Sequence, residues 1–405
     1  MKNIIIFYPS HNIGGAEYLL KLTADLLKLQ HRVRIVDIKD GWLSKNTEGV
    51  PILFAEEKIA LEKETIVITT ANLVRNLDLY FTGDFTVLAW VVHPYNVIPF
   101  FPALKSLQFK KTIKTILKKT VLRNEYKRSE KRVKYLIAKK SIFAMDSSCD
   151  DVLFRYTGTH YDEFLPVIIS DEKIDYSNIE FYQKENKIKA VWLGRLDGEF
   201  KNNILIKVMK DLNEYAKTKD HKKIELNIVG NGPGMPEIQQ VAENLAFLEV
   251  HFHLEKRGNE LKSIITQSNI GFAMGTSAIE ISAFGVPTIL LDFSYSSVPD
   301  SYRYRWFFES TGYSLGRSIE LESDASMGNT MSMDDVLNGL ETSSKKLSEK
   351  CFQYAINNHS PAIFNKKINH ILNTSSSSFL EMKKLGLLKK PFWFFLKKFA
   401  KKIKL

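Results

Sequence analysis

With 405 residues, 44% of them apolar and 25% charged, the chain has the make-up of a soluble globular protein long enough for two domains. Its two cysteines, Cys149 and Cys351, sit in no CxxC or Cys/His spacing, which argues against a disulfide framework or zinc site and for a reducing compartment. The net charge of +11 gathers in two stretches: fourteen Lys or Arg against Glu125 and Glu130 between Lys105 and Lys140, and nine lysines against Glu381 between Phe379 and Leu405.

Met1-Lys2-Asn3 leads straight into Ile4 to Tyr8, too short for a signal peptide, and no apolar run approaches the roughly 20 residues that span a bilayer. The expectation is a cytosolic or peripheral protein. Lys2 to Pro9 reads as a buried parallel strand. Asn12 to Glu17 then opens an amphipathic helix, and strands follow at Val33–Val36, Ile66–Thr69 and Thr86–Val92. This alternation predicts a doubly wound parallel sheet with ligands at the carboxyl ends of its strands. Gly14 and Gly15 lie at such an end, either to let the backbone approach a ligand or as a tight turn. His93 ends another strand, as a positioning or proton-handling imidazole or as a structural one. The basic segment reads as helices, Ser141–Met145 as a strand, and Phe164–Ile169 closes the first half.

Ser170 to Lys187 is polar and irregular and reads as an interdomain linker. A second α/β series starts at Lys189–Leu193 and runs into Gly194-Arg195-Leu196-Asp197 and Lys201, where a guanidinium and an ammonium could clamp phosphate oxygens. The helix Ile204–Ala216, the strand Glu225–Val229, the loop Gly230–Gly234, the helix Met235–Leu245 and the strand Val250–Phe252 follow. His251 and His253 alternate as in a strand, with no third metal ligand nearby in sequence. The series reaches Gly271 to Leu291: a strand end, a Gly275-Thr276-Ser277 turn, a helix to about Phe284 capped by Thr276 or Ser277, then Gly285-Val286-Pro287 and a further strand. Backbone N–H groups at that helix start could hold a diphosphate, and Glu280, on the same face, could accept from a ribose diol. An ordinary βαβ corner with a solvated Glu280 is the alternative.

Gly14-Gly15-Ala16-Glu17 near the start, Gly194-Arg195-Leu196-Asp197 with Lys201, and Gly275 to Glu280 followed by Phe284 to Pro287 together resemble glycosyltransferases of the two-domain B architecture, most of all the family 4-like group. The resemblance spans most of residues 1–355. It implies two Rossmann-like doubly wound domains facing across a cleft: residues 1–170 on the acceptor side and 187–355 for the nucleotide-sugar donor. A returning helix over 356–374 and a basic amphipathic tail over 375–405 complete the expected layout. Carried over, Gly15 would approach the donor diphosphate, Arg195 and Lys201 would neutralise it, and Thr276 and Ser277 would offer it N–H groups. Glu280 would hold the ribose and His93 would lie near the transferred sugar, with Gly14, Asn231 and Gly275 completing the donor set. The family's glutamate pair, eight positions apart, is broken here: Glu280 matches the second, and Phe272 stands at the first. Residues Tyr304–Glu309 and Gly312–Gly316 look like a variant seen in bacterial surface-polysaccharide transferases.

The chain holds no Asp-x-Asp, so neither metal nor other cofactor is expected, and the leaving diphosphate would be stabilised by fixed charges and dipoles. Retaining chemistry would let the diphosphate take the acceptor's proton; inversion would need a base, for which His93 is the candidate. After a serine linker, Ser375–Ser378, the stretch Phe379–Leu405 reads as an interfacial helix or as one packed on the protein itself. With Lys105–Lys140 it suggests docking on anionic lipid at the inner face of the cell membrane, near a lipid-linked glycan acceptor in lipopolysaccharide or capsule synthesis. A sugar-nucleotide-binding protein without transfer activity is the second reading. Nucleic-acid binding rests on charge alone, because the basic segments lack regular aromatic interleaving, and no nucleic-acid partner is expected.

Overall fold

The computed structural model describes residues 1–11, 14–54, 57–99, 122–170, 172, 174–175, 187–219, 223–320 and 328–390. The chain divides into two compact units, Met1–Pro166 with Phe364–Leu405, and Val167–Ile363. Most of the expected linker, and the stretches 100–121 and 391–405 of the two basic segments, lie outside the described residues.

In the first unit the elements run β1 (Asn3–Phe7), α1 (Gly15–Leu27), β2 (Arg32–Asp37), α2 (Trp42–Asn46), β3 (Ile52–Phe54), β4 (Ile59–Leu61), β5 (Thr65–Thr70), α3 (Leu77–Tyr80), β6 (Phe81–Gly83), β7 (Thr86–Val91), α4 (Arg123–Ala138), β8 (Ile142–Ala144) and α5 (Ser147–Thr157). Six strands form a parallel sheet in the order β3-β2-β1-β5-β7-β8, while β4 and β6 pair separately. Ile4 to Phe7 and Val87 to Val91 are fully buried, as continuous apolar runs in a sheet covered on both faces should be.

For the described part of the C-terminal segment the structure takes the second of the two expected readings, a helix packed on the protein itself. Ser377 is buried, donating its hydroxyl to Val87 O and accepting from Val87 N–H, and Ser378 caps the helix Phe379–Lys384. Phe379 stacks on Phe85 at 4.4 Å between ring centres, and Met382, Leu387 and Leu388 are buried in the same core. Two arginines of the basic segment bind this stretch: Arg132 donates to Leu387 O and Arg128 to Lys389 O, each at 3.1 Å. Phe379, Met382, Leu387 and Leu388 are therefore covered by the first unit's own core, while Leu380 and Leu385 stay exposed.

In the second unit β9 (Lys187–Leu193), α6 (Lys201–Thr218), β10 (Lys223–Val229), α7 (Met235–Glu243), β11 (Leu248–His253), α8 (Gly258–Thr266), β12 (Ile270–Ala273), α9 (Thr276–Ala283) and β13 (Thr288–Leu290) build a parallel sheet in the order β11-β10-β9-β12-β13. The long helix Met333–His359 follows, opened by a capping box between Ser332 and Asp335. Both cysteines are buried and free, Cys149 in the first unit and Cys351 in the second.

Candidate functional site

The second sheet builds outward from β9 through β10 to β11 and then returns to place β12 on the other side of β9. Ligands of open α/β sheets bind outside the strand ends at such a reversal. The two segments that leave the sheet there are Gly194–Phe200 after β9 and Met274–Gly275 after β12.

Asp197 folds the first segment. Its Oδ1 accepts the N–H groups of Glu199, Phe200 and Lys201 at 3.0, 3.2 and 3.3 Å, which starts α6 at Lys201. The glycine loop after β10 clamps it from the side: Leu196 N–H reaches Asn231 O at 3.1 Å, and Gly234 N–H reaches Leu196 O at 2.9 Å. A Cβ on Gly230 would stand 2.0 Å from Gly194 O, and one on Gly232 2.1 Å from Leu196 O, so these glycines let two loops touch. Asn231 accepts from Gly232 N–H at 2.7 Å and ties its own loop. Arg195 is exposed and Lys201 half-buried. Burial first, and then the charge of Arg195, holds the Lys201 ammonium below its usual pKa, with Asp197 acting in the opposite direction.

The second segment corrects the expected cap. Helix α9 is capped by Gly275, at φ +65°, with no side-chain hydrogen bond; Thr276 and Ser277 are its first two residues. Ala278 N–H is the first to close back, on Gly275 O at 3.2 Å, which leaves Thr276 and Ser277 N–H at the positive end of the helix. Glu280 lies one turn on, half-buried. Phe272 is fully buried within β12. Phe272, eight positions before Glu280, is therefore inside the sheet, and only Met274 and Gly275 link β12 to α9.

In the first unit the reversal lies between β1 and β5, and α1 begins there. Gly14 caps it in an extended conformation, and a Cβ on Gly15 would meet nothing within 4 Å. His93 caps the short 3-10 turn Pro94–Val97, with Nδ1 accepting from Tyr95 N–H at 3.2 Å. The remaining proton of the neutral ring then sits on Nε2, and surrounding protein lowers its pKa. Outward, this His93 is a donor; acting as a base would require that cap to break.

Sequence spacing missed two groupings. Glu225, Glu249 and His251 bring ligand atoms within 4.8 Å of one another, because register sets Glu225 beside Glu249. Lys187 Nζ already stands 2.6 Å from Glu225 and 3.3 Å from Glu249, and His253 bonds Asn227 instead. The second grouping, around Asp292 and Arg305, is wholly buried. Arg305 sits one residue from exposed Arg303 and between the buried aromatics Tyr304 and Trp306, so charge alone did not mark it as interior.

Comparison with known proteins gives the same fold. The trehalose-6-phosphate structure from E. coli bound with UDP-2-fluoro glucose is similar with a TM-score of 0.52 at 11% identity, over 92% of this chain and 99% of that one. Anabaena Alr3699/HepE in complex with UDP and glucose is similar with a TM-score of 0.48 at 11% identity, over 92% and 100%. For Acinetobacter baumannii MurG the values are 0.40, 10%, 92% and 99%. No curated protein matches the chain. The fold is that of the two-domain B architecture of glycosyltransferases. Residues 177–300, wholly within the second unit, match the family model of glycosyl transferases group 1.

Proposed function

We propose that the second unit holds the donor at the reversal between β9 and β12, with Arg195 and Lys201 on the diphosphate from one side and the α9 start from the other. The observation that carries this reading is that β9 and β12 are adjacent at the reversal, so the loop bearing Arg195 and Lys201 and the α9 start with its Thr276 and Ser277 N–H groups leave neighbouring strand ends. Glu280 takes the ribose hydroxyls. Transfer is metal-independent and retaining: the acceptor oxygen bonds to the anomeric carbon as the carbon–phosphate oxygen bond breaks, and the acceptor's proton passes to the departing diphosphate. Fixed cations and dipoles stabilise the charge that develops there.

The acceptor in this reading is a lipid-linked or polysaccharide glycan of the cell surface, met at the inner face of the membrane. The lysine-rich composition of Lys105–Lys140 and Phe379–Leu405 supports it. Among the described residues no helix is long and apolar enough to cross a membrane. A thermal-shift panel of UDP-, GDP-, ADP- and CMP-sugars tests the donor site, since a ligand bound by the folded state alone raises the melting temperature. One class should stabilise the protein, and Glu280→Ala should weaken that donor about tenfold with the fold intact. Unchanged donor affinity in this variant would remove the ribose assignment.

A further inference from the structure

The turn that starts α9 is not held by its own sequence. Gly275 has no side chain, sits at φ +65° and caps the helix without a side-chain bond. It is held from outside, by Leu315 O, which accepts Gly275 N–H at 2.7 Å. Leu315, Gly316 and Arg317 form a strap across the ends of β12 and β13. A Cβ on Gly316, at φ +119°, would stand 2.7 Å from Leu291 O and 3.5 Å from Met274 Cβ. The far end of the strap is fastened by Asp292, whose Oδ1 accepts Arg317 N–H at 2.8 Å, and by Phe293 N–H on Arg317 O at 2.9 Å.

Asp292 is fully buried and itself fixed. Arg305 donates to it through both terminal nitrogens, at 2.7 and 2.8 Å. Asn329 Nδ2 and the Tyr302 hydroxyl donate to Oδ2 at 2.9 and 3.2 Å, and Arg305 also donates to Asn329 Oδ1. A buried ion pair with its remaining lone pairs filled is rigid, and losing one partner strands a charge.

We propose that Asp292 is a positioning residue for the donor diphosphate: through the strap it fixes the Gly275 turn, and so the aim of the Thr276 and Ser277 N–H groups. The inference rests on the donor reading above and adds to it a device that the short β12–α9 link makes necessary. With two residues between strand and helix, the turn has no loop of its own to brace it.

The test is calorimetric titration of the full chain with UDP, GDP and ADP, and with the nucleoside of whichever binds. Asp292→Asn and Gly316→Ala should each lose about tenfold in affinity for the nucleoside diphosphate while the nucleoside changes less than about twofold. Gly316→Ala carries the test alone if Asp292→Asn does not fold. Diphosphate affinity unchanged in folded Gly316→Ala overturns the proposal, as does an equal fall for diphosphate and nucleoside, which marks a general structural role. A wild type that binds none of the three diphosphates overturns the donor reading and this inference with it.

Discussion

The two sheets reverse direction at equivalent points in their topology, yet the groups gathered there have opposite charge. In the second unit Arg195 and Lys201 follow β9, and the neighbouring strand β12 leads into a helix start whose first side chains are Thr276 and Ser277. In the first unit the helix start carries a buried carboxylate, Glu17. Its Oε1 accepts from Ser10 Oγ at 2.8 Å, and its Oε2 lies 2.9 Å from where a Gly14 Cβ would stand. Burial, and then the Glu17 charge, pushes the Tyr8 phenol up to about 12. A helix start attracts anions through its dipole, but that attraction is worth only about 0.3–1 kcal/mol at an exposed site. A fixed charge beside it decides the outcome. In the proposed reading the cations of the second unit take a diphosphate, whereas the first carries its own carboxylate, Glu17, at the helix start.

The largest effect should come from removing the cations. Charge-assisted hydrogen bonds are worth roughly 1.5–3 kcal/mol each, so the Arg195→Ala, Lys201→Ala double variant should bind the donor nucleotide at least about a hundredfold more weakly. A double variant that titrates like wild type would erase the contrast between the units.

A second effect separates the units by acid. His359, in the second unit, is fully buried with Nδ1 on Val167 O at 2.8 Å and Nε2 without a hydrogen-bond partner. Burial lowers its pKa to about 4. An unfolded histidine titrates near 6.5, so the unfolded state binds the proton first. The stability is fully present above pH 6.5 and is lost as pH falls toward 4, about 3 kcal/mol in all. Denaturant unfolding between pH 8 and 4, followed through Trp192 and Trp306, should show that loss, and His359→Gln should flatten it. An equal slope in the variant would assign the acid sensitivity elsewhere.

What was legible beforehand follows the same physics. Strands covered on both faces announce themselves as apolar runs, so β1, β7, β9 and β12 were readable, and with them the places where loops leave the sheet. Arg195, Lys201 and the Gly275 turn were found because they stand at those ends. Side-chain preference misassigned the α9 cap: Thr and Ser favour that position, but the backbone there needs a positive φ, which glycine adopts most easily. The C-terminal stretch was left between two readings for a different reason. Phe379, Met382, Leu387 and Leu388 are apolar and spaced among lysines, a pattern that says a surface is covered without saying by what. The partners of Asp292 come from residues 302, 305, 317 and 329, too far apart in sequence for any local pattern to join them.

The smallest effect tests the contrast from the other side. If Glu17 occupies the anion position at α1, removing its charge should open that position. Glu17→Gln keeps the side chain's size and its bond to Ser10 but withdraws the charge. In this variant pyrophosphate should shift the Gly15 amide resonance, with an affinity gain of a few-fold, in line with the dipole's modest strength. The wild-type amide should stay unmoved over the same titration. Should the wild type shift as well, the first helix start already accepts anions beside Glu17. Charge at the two reversals would then not be what distinguishes the units, and the reason for their difference would have to be sought in the loops that frame each start.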